Sequence, residues 1–158
     1  MRSLTVAALI CCLAPVAALA DEGRWSSGYG QGVTEATVTN GRGTTFYIAC
    51  PDAALNRAPS VTLEPRGMTG GEDAANVGVV LTIDGASTNW PLNRRVLDQN
   101  QVLFTADAAS ADQKAALRTL MRGLGQGSSL TVAIPGDGVR ETFTLTGSAG
   151  ALAECAVH

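Results

Sequence analysis

Apolar positions change their spacing several times along this chain, and each change marks an element. From Val33, "VTEATVTN" alternates in the manner of a strand, Asn40-Gly41 supplies turn chemistry, and "TTFYIAC" resumes with β-branched and aromatic residues. Two strands joined by a hairpin are predicted, the second ending at Cys50. "SVTLEP" predicts a third strand, stopped by Pro65. "VGVVLTIDGASTNWPL" reads as a second hairpin turning at Asp84-Gly85, and "RRVL" and "QVLFTA" add one or two short strands. Between these runs "RGMTGGEDAANVG" shows no periodicity, so residues 64–78 are expected to carry a surface loop.

The period then lengthens to that of a helix. In "SADQKAALRTLMRG", Ser110 can cap, Gln113 stands where a capping-box partner belongs, and Gly123 offers a stop. Ala116, Leu117, Leu120 and Met121 form one apolar stripe, and Lys114, Arg118 and Arg122 recur every four residues on another face. That basic stripe has two readings: a contact for an acidic partner, or the solvated face of a packed helix. After it, "SLTVAI" and "VRETFTLTG" flank the dense turn signal "PGDG". Ser148 is expected to cap a terminal helix whose core side holds Ala151, Leu152, Cys155 and Ala156.

The first twenty residues follow a different logic. "MRSLTVAALICCLAPVAALA" has a basic start at Arg2, an apolar run, and a small-x-small ending at Ala18 and Ala20. This is the pattern of a secretory signal peptide at 1–20, too short for a stable membrane anchor. A lipoprotein site at Cys11 or Cys12 competes with it, although Ile10 and Cys11 fill places where lipidation needs small residues. Residues 21–32, rich in Gly and Ser, are expected to form a flexible arm pinned by Trp25 and Tyr29, and 33–158 one β-rich domain.

Composition narrows the chemistry. Fourteen acidic residues face eleven Lys and Arg, giving a formal net charge of −3, with no basic run. Nucleic-acid binding, which needs clustered cations, is therefore not expected. No second apolar stretch approaches membrane length, so no stable insertion is expected after leader cleavage. Removing the leader takes Cys11 and Cys12 and leaves Cys50 and Cys155. In an exported chain this pair reads as one disulfide; two separate buried thiols are the other reading.

No catalytic constellation emerges. The single histidine is His158, the last residue, and cannot build a triad alone. "GSAGA" lacks the spacing of a nucleophile elbow and the lysine of a phosphate loop. Glu72 and Asp73 are neighbours in a loop, whereas glycosidase chemistry needs carboxyls across a cleft. Enzymatic activity, a metal and a cofactor are not expected. Trp90, Arg94 and Arg95 have the composition of an interface hot spot and are the candidate partner contact, though Trp90 could equally fill the core.

Three stretches carry a family resemblance: "FYIACPDAALNRAPSVTLEP", "VVLTIDGASTNWPL" and "LRTLMRGLGQGSSLTVAIPGDGVRETFTLTGSAGALAEC". Together they resemble small exported proteobacterial proteins of the VasI type, associated with type VI secretion. Cys50, Asp84, Trp90, Phe143, Gly147, Leu152 and Cys155 fall on pattern positions, and the likeness spans about residues 44–155. The chain departs from the pattern after Cys155, where Ala156-Val157-His158 stand in place of Gly-Trp. A fainter likeness is to invasion-associated locus B proteins, also exported, β-rich and cysteine-paired. Neither resemblance implies catalytic residues.

The expected fold is α+β: a mainly antiparallel sheet of about six to eight strands with two short helices. The expected function is a non-enzymatic periplasmic or secreted binding or accessory protein with a protein partner in the cell envelope, linked by the resemblance to a secretion apparatus. An inhibitor of a periplasmic or foreign hydrolase, working through the 64–78 loop, is the alternative. A hydrolase using loop carboxylates is the third reading.

Overall fold

The computed structural model describes residues 23–97, 101–155 and 157. Its strands are β1 (Ser26–Gly30), β2 (Val33–Thr39), β3 (Thr45–Pro51), β4 (Ser60–Glu64), β5 (Ala74–Ile83), β6 (Ala86–Val96), β7 (Val102–Asp107), β8 (Ser129–Ile134) and β9 (Val139–Thr144). The helices are α1 (Ala111–Gln126) and α2 (Ser148–Ala153). All the strand pairings are antiparallel, in the order β1-β2-β3-β4-β7-β6-β5-β8-β9. Nine strands among the described residues exceed the six to eight expected. One added strand is β1, inside the segment expected as a flexible arm. Trp25, at 4% exposure, anchors it in the core, whereas Tyr29 stays 69% exposed. The residues around Trp25 thus continue the sheet rather than trail from it.

Both hairpins form where the turn residues predict, with different loops. Asp84 and Gly85 both take positive φ between paired Ile83 and Ala86, the backbone a two-residue hairpin needs to match strand twist. At the other hairpin Thr39 pairs with Thr45 across a longer turn. There the Asn40 Oδ1 accepts from the backbone N–H groups of Arg42 and Thr44.

The sheet is rolled so that its ends meet. The Phe46 ring of β3 and the Phe143 ring of β9 lie 6.0 Å apart although six places separate their strands in the sheet order. Residues 23–25 bridge the gap: the Gly23 N–H donates to the Thr39 carbonyl (2.8 Å), and the Trp25 N–H to the Thr146 carbonyl (2.9 Å). The Trp25 indole adds a bond to the Thr144 carbonyl, and Asn40 Nδ2 reaches Glu141 on β9 at 2.8 Å. Backbone groups that an open edge would leave unpaired are partly satisfied in this way. Alternate residues of the strands, among them Val38, Phe46, Ile48, Leu63, Leu81, Phe104, Leu130 and Phe143, fill one core.

α1 covers this core with Leu117, Leu120 and Leu124. It starts on the predicted capping box, with Ser110 and Gln113 each accepting from the other's backbone N–H. It does not stop at Gly123. Continuing to Gln126 buries Leu124, and the missing side chain at Gly123 leaves room for Ile83, whose Cδ1 would stand 3.2 Å from an added Cβ. α2 is capped by Gly147 at φ +84°, not by Ser148. The Ser148 hydroxyl is buried instead, 2.8 Å from the Leu124 carbonyl and 2.7 Å from that of Leu145, and can give its proton to either. Cys155 falls just past the helix end, still buried, and is bonded to Cys50 across 105 residues of chain. The disulfide ties the last helix to β3.

Candidate functional site: a groove between the two helices

The burial of Leu117, Leu120 and Leu124 fixes how α1 is rotated, and so decides what its other faces offer. Ala115, Arg118, Thr119 and Arg122 are exposed on the side toward α2, with Met121 half-buried beside them. α2 approaches closely because Gly125 carries no side chain: a Cβ there would lie 3.6 Å from the Ala149 Cα. Between the helices runs an open groove of about 740 Å³, lined among others by Arg118, Met121, Arg122, Leu152, Cys155 and Val157. Its floor is apolar and its α1 rim is cationic. The buried disulfide lies behind it.

The two arginines form no ion pair among the described residues. Ion pairs among the described residues are Arg42–Glu141, Arg94–Asp137 and Arg95–Asp73. Among the described residues Arg122 donates to the Thr119 hydroxyl of its own helix, at 3.2 Å. Lys114, one turn before Arg118, lines a second depression of about 420 Å³ together with Arg57. Four cations therefore run from the β3–β4 connection along α1, in a chain whose net charge is negative.

The predicted contact residues lie elsewhere and do not form one patch. Trp90 pairs with Val79, is half-buried and packs against the core. Arg94 Nη1 meets Asp137 at 2.5 Å, and its Nε donates to the Glu72 carbonyl at 2.7 Å. Arg95 donates to Asp73 at 3.1 Å from a neighbouring position that alternation turns to the opposite face. These arginines fasten the β4–β5 connection, residues 65–73, to β6; it is shorter than the 64–78 loop expected, because pairing with β6 draws 74–78 into β5. A further tie is the bridge between Thr69 and Gln101, beside a Gln101–Glu64 hydrogen bond.

The carboxylates singled out in the sequence also have structural work. The Asp73 carboxylate accepts from the Val96 N–H and from Arg95, and these two bonds hold it below the ordinary carboxylate range. Asp84 is lowered in the same sense by the backbone N–H groups of Ser128 and Ser129, both at 2.9 Å, with the Ser129 hydroxyl adding to them. Asp84 thereby pins the α1–β8 connection to the β5–β6 turn. Tyr29 donates to Asp52 at 2.8 Å, and that bond to a carboxylate raises its phenol. No group of three or more His, Cys, Asp or Glu residues gathers as a metal site among the described residues.

Sequence reading found the basic stripe but not the groove. The signal that was present is Gly125, a second glycine within two residues of Gly123 inside a strong helix pattern. Such glycines cost helix stability, about 1 kcal/mol each relative to alanine, and mark close approach.

Comparison with known proteins places this geometry in a family. No curated protein matches the sequence significantly. Among solved structures, the crystal structure of invasion associated protein B from Bartonella henselae is similar, with a TM-score of 0.52 at 15% identity. The match covers 85% of this chain and 92% of that one, and at this identity it establishes likeness of fold. It bears out the fainter of the two resemblances at that level. The YfjT family model matches residues 23–152, from the bridging segment through α2, and the chain belongs to the YfjT family.

Proposed function

We propose that this chain is a non-enzymatic, exported accessory protein that holds a protein partner of the cell envelope in the α1–α2 groove. The groove itself carries the reading: about 740 Å³ of concave surface, apolar at the floor and edged by Arg118 and Arg122. Ligand sites combine those features, an apolar body with a few oriented polar groups. Export is supported by the leader pattern of residues 1–20 and by a buried disulfide, since such bonds persist in oxidising compartments. No helix among the described residues is long and apolar enough to cross a membrane. The resemblance to the VasI type supports the finer reading, an accessory of a secretion apparatus.

A second reading, inhibition of a hydrolase, is favoured by one observation. The 65–73 connection is fastened by Arg94, Arg95, Asp73 and the Thr69–Gln101 bridge, and a loop held rigid loses little entropy on insertion into a cleft.

Photocrosslinking in living cells separates the two. A crosslinker at Thr119, exposed in the groove, should capture one envelope protein, and a crosslinker at Glu72, exposed on the loop, should not. Capture from Glu72 alone supports the inhibitor reading. Capture from neither position contradicts both.

A further inference from the structure

We infer that the occupant of the groove is an acidic, amphipathic segment of another protein, with its apolar side chains on the Met121–Leu152–Cys155 floor and its carboxylates on Arg118 and Arg122. The inference rests on the docking reading above and names the partner's chemistry. Lys114, Arg118 and Arg122 are spaced four apart, so successive cations stand about 6 Å apart along α1, in a line of about 12 Å. Arg57 extends it past the Lys114 end, where the two residues share a depression. No carboxylate among the described residues lies within ion-pair distance of any of the four. Elsewhere among the described residues Arg42, Arg94 and Arg95 are paired with carboxylates, whereas Arg24, Arg66 and Arg140 are not, so what sets these four apart is their alignment along one face. Cations left unpaired along the rim of an apolar groove, in a chain of net charge −3, are complementary to an acidic ligand and steer it on approach.

The shape favours a peptide over an anionic membrane. Leu152 and Cys155 are recessed in the groove at 6% and 5% exposure, where they can receive a side chain but cannot insert into lipid. The large apolar residues that do project, Tyr29, Leu55 and Leu97, lie outside the groove lining. Membrane-surface binding would need projecting apolar groups beside the cations.

The test is selection of a random-peptide display library on the disulfide-bonded chain, with affinities then measured for synthetic copies of the enriched peptides. Enriched sequences should carry two or more Asp or Glu next to Leu, Met, Ile or Phe. In the native chain their Kd should rise with added salt, and at fixed salt it should rise at least tenfold in an Arg118→Glu/Arg122→Glu chain. Both arginines are exposed, so that chain should keep its melting temperature, and an Arg118→Gln/Arg122→Gln chain should give an intermediate Kd. Enrichment of peptides without acids, or equal affinity for the charge-reversed chain, overturns the inference. So does co-sedimentation of the chain with phosphatidylglycerol vesicles that the same charge reversal abolishes. A partner crosslinked at Thr119 that stays bound after charge reversal overturns the assignment of charge alone and leaves docking in place. Absence of any crosslink from Thr119 removes both.

Discussion

Asp84 is legible by position, and its bonds come from residues far along the chain. Its place before Gly85 marks a turn, which the structure forms. In the structure the carboxylate accepts three bonds from Ser128 and Ser129 and joins two connections of the fold. A residue so far along the chain is invisible to local pattern, so the partners could not be read from sequence. Because those bonds hold the folded-state pKa below its unfolded value, about 3.9, Asp84 contributes stability above that pH and loses it as pH falls through the folded value. Melting curves of the native chain and an Asp84→Asn variant should therefore differ at neutral pH and converge below about pH 4. A gap that persists undiminished to low pH would show that the charge is not what matters. The bonds of Arg94 and Arg95 are equally hidden from local pattern, since Asp137, Asp73 and the Glu72 carbonyl come from separate segments.

At the scale of the elements, what the sequence disclosed was what neighbours decide. The capping box at Ser110 and Gln113, the Asp84-Gly85 turn and the alternation of β2, β3 and β9 all follow from residues a few positions apart. The end of α1 did not, because Gly123 looks like a stop until Ile83 is brought against it. Gly127, the actual cap, is tighter still. A Cβ there would lie 2.7 Å from Ile83 Cγ2 and 2.9 Å from Leu145 Cδ1, with ordinary backbone angles. Gly127→Ala should thus destabilise by overpacking, by about 1–3 kcal/mol in denaturant unfolding. A loss below about 0.5 kcal/mol would mean that Ile83 and Leu145 can yield without cost, outside the range overpacking gives. The approach of α2 rests on another of these glycines, Gly125 against Ala149, so the groove depends on a residue that carries no chemistry of its own.

At the scale of the whole molecule, the fold class and the Cys50–Cys155 pairing were legible, but not the closure of the sheet. Trp25 joins β9 through Thr144 and Thr146, more than a hundred residues away, and no periodicity announces it. Loop-closure entropy gives the disulfide a stabilisation on the order of 4–5 kcal/mol for a 105-residue separation. A Cys50→Ala/Cys155→Ala chain should lose about 2–5 kcal/mol, read as a lower denaturant midpoint. An unchanged midpoint would show that α2 is held by packing alone.

The account stands or falls on the groove. Ala153 is exposed on α2 and faces into it, so Ala153→Trp would occupy the space without entering the core. The most direct measurement is recovery of the envelope protein crosslinked at Thr119, compared between chains with Ala and with Trp at position 153. The expected result is a tenfold or greater drop in recovery with an unchanged melting temperature. Recovery at the native level from a chain whose groove is filled would contradict the claim.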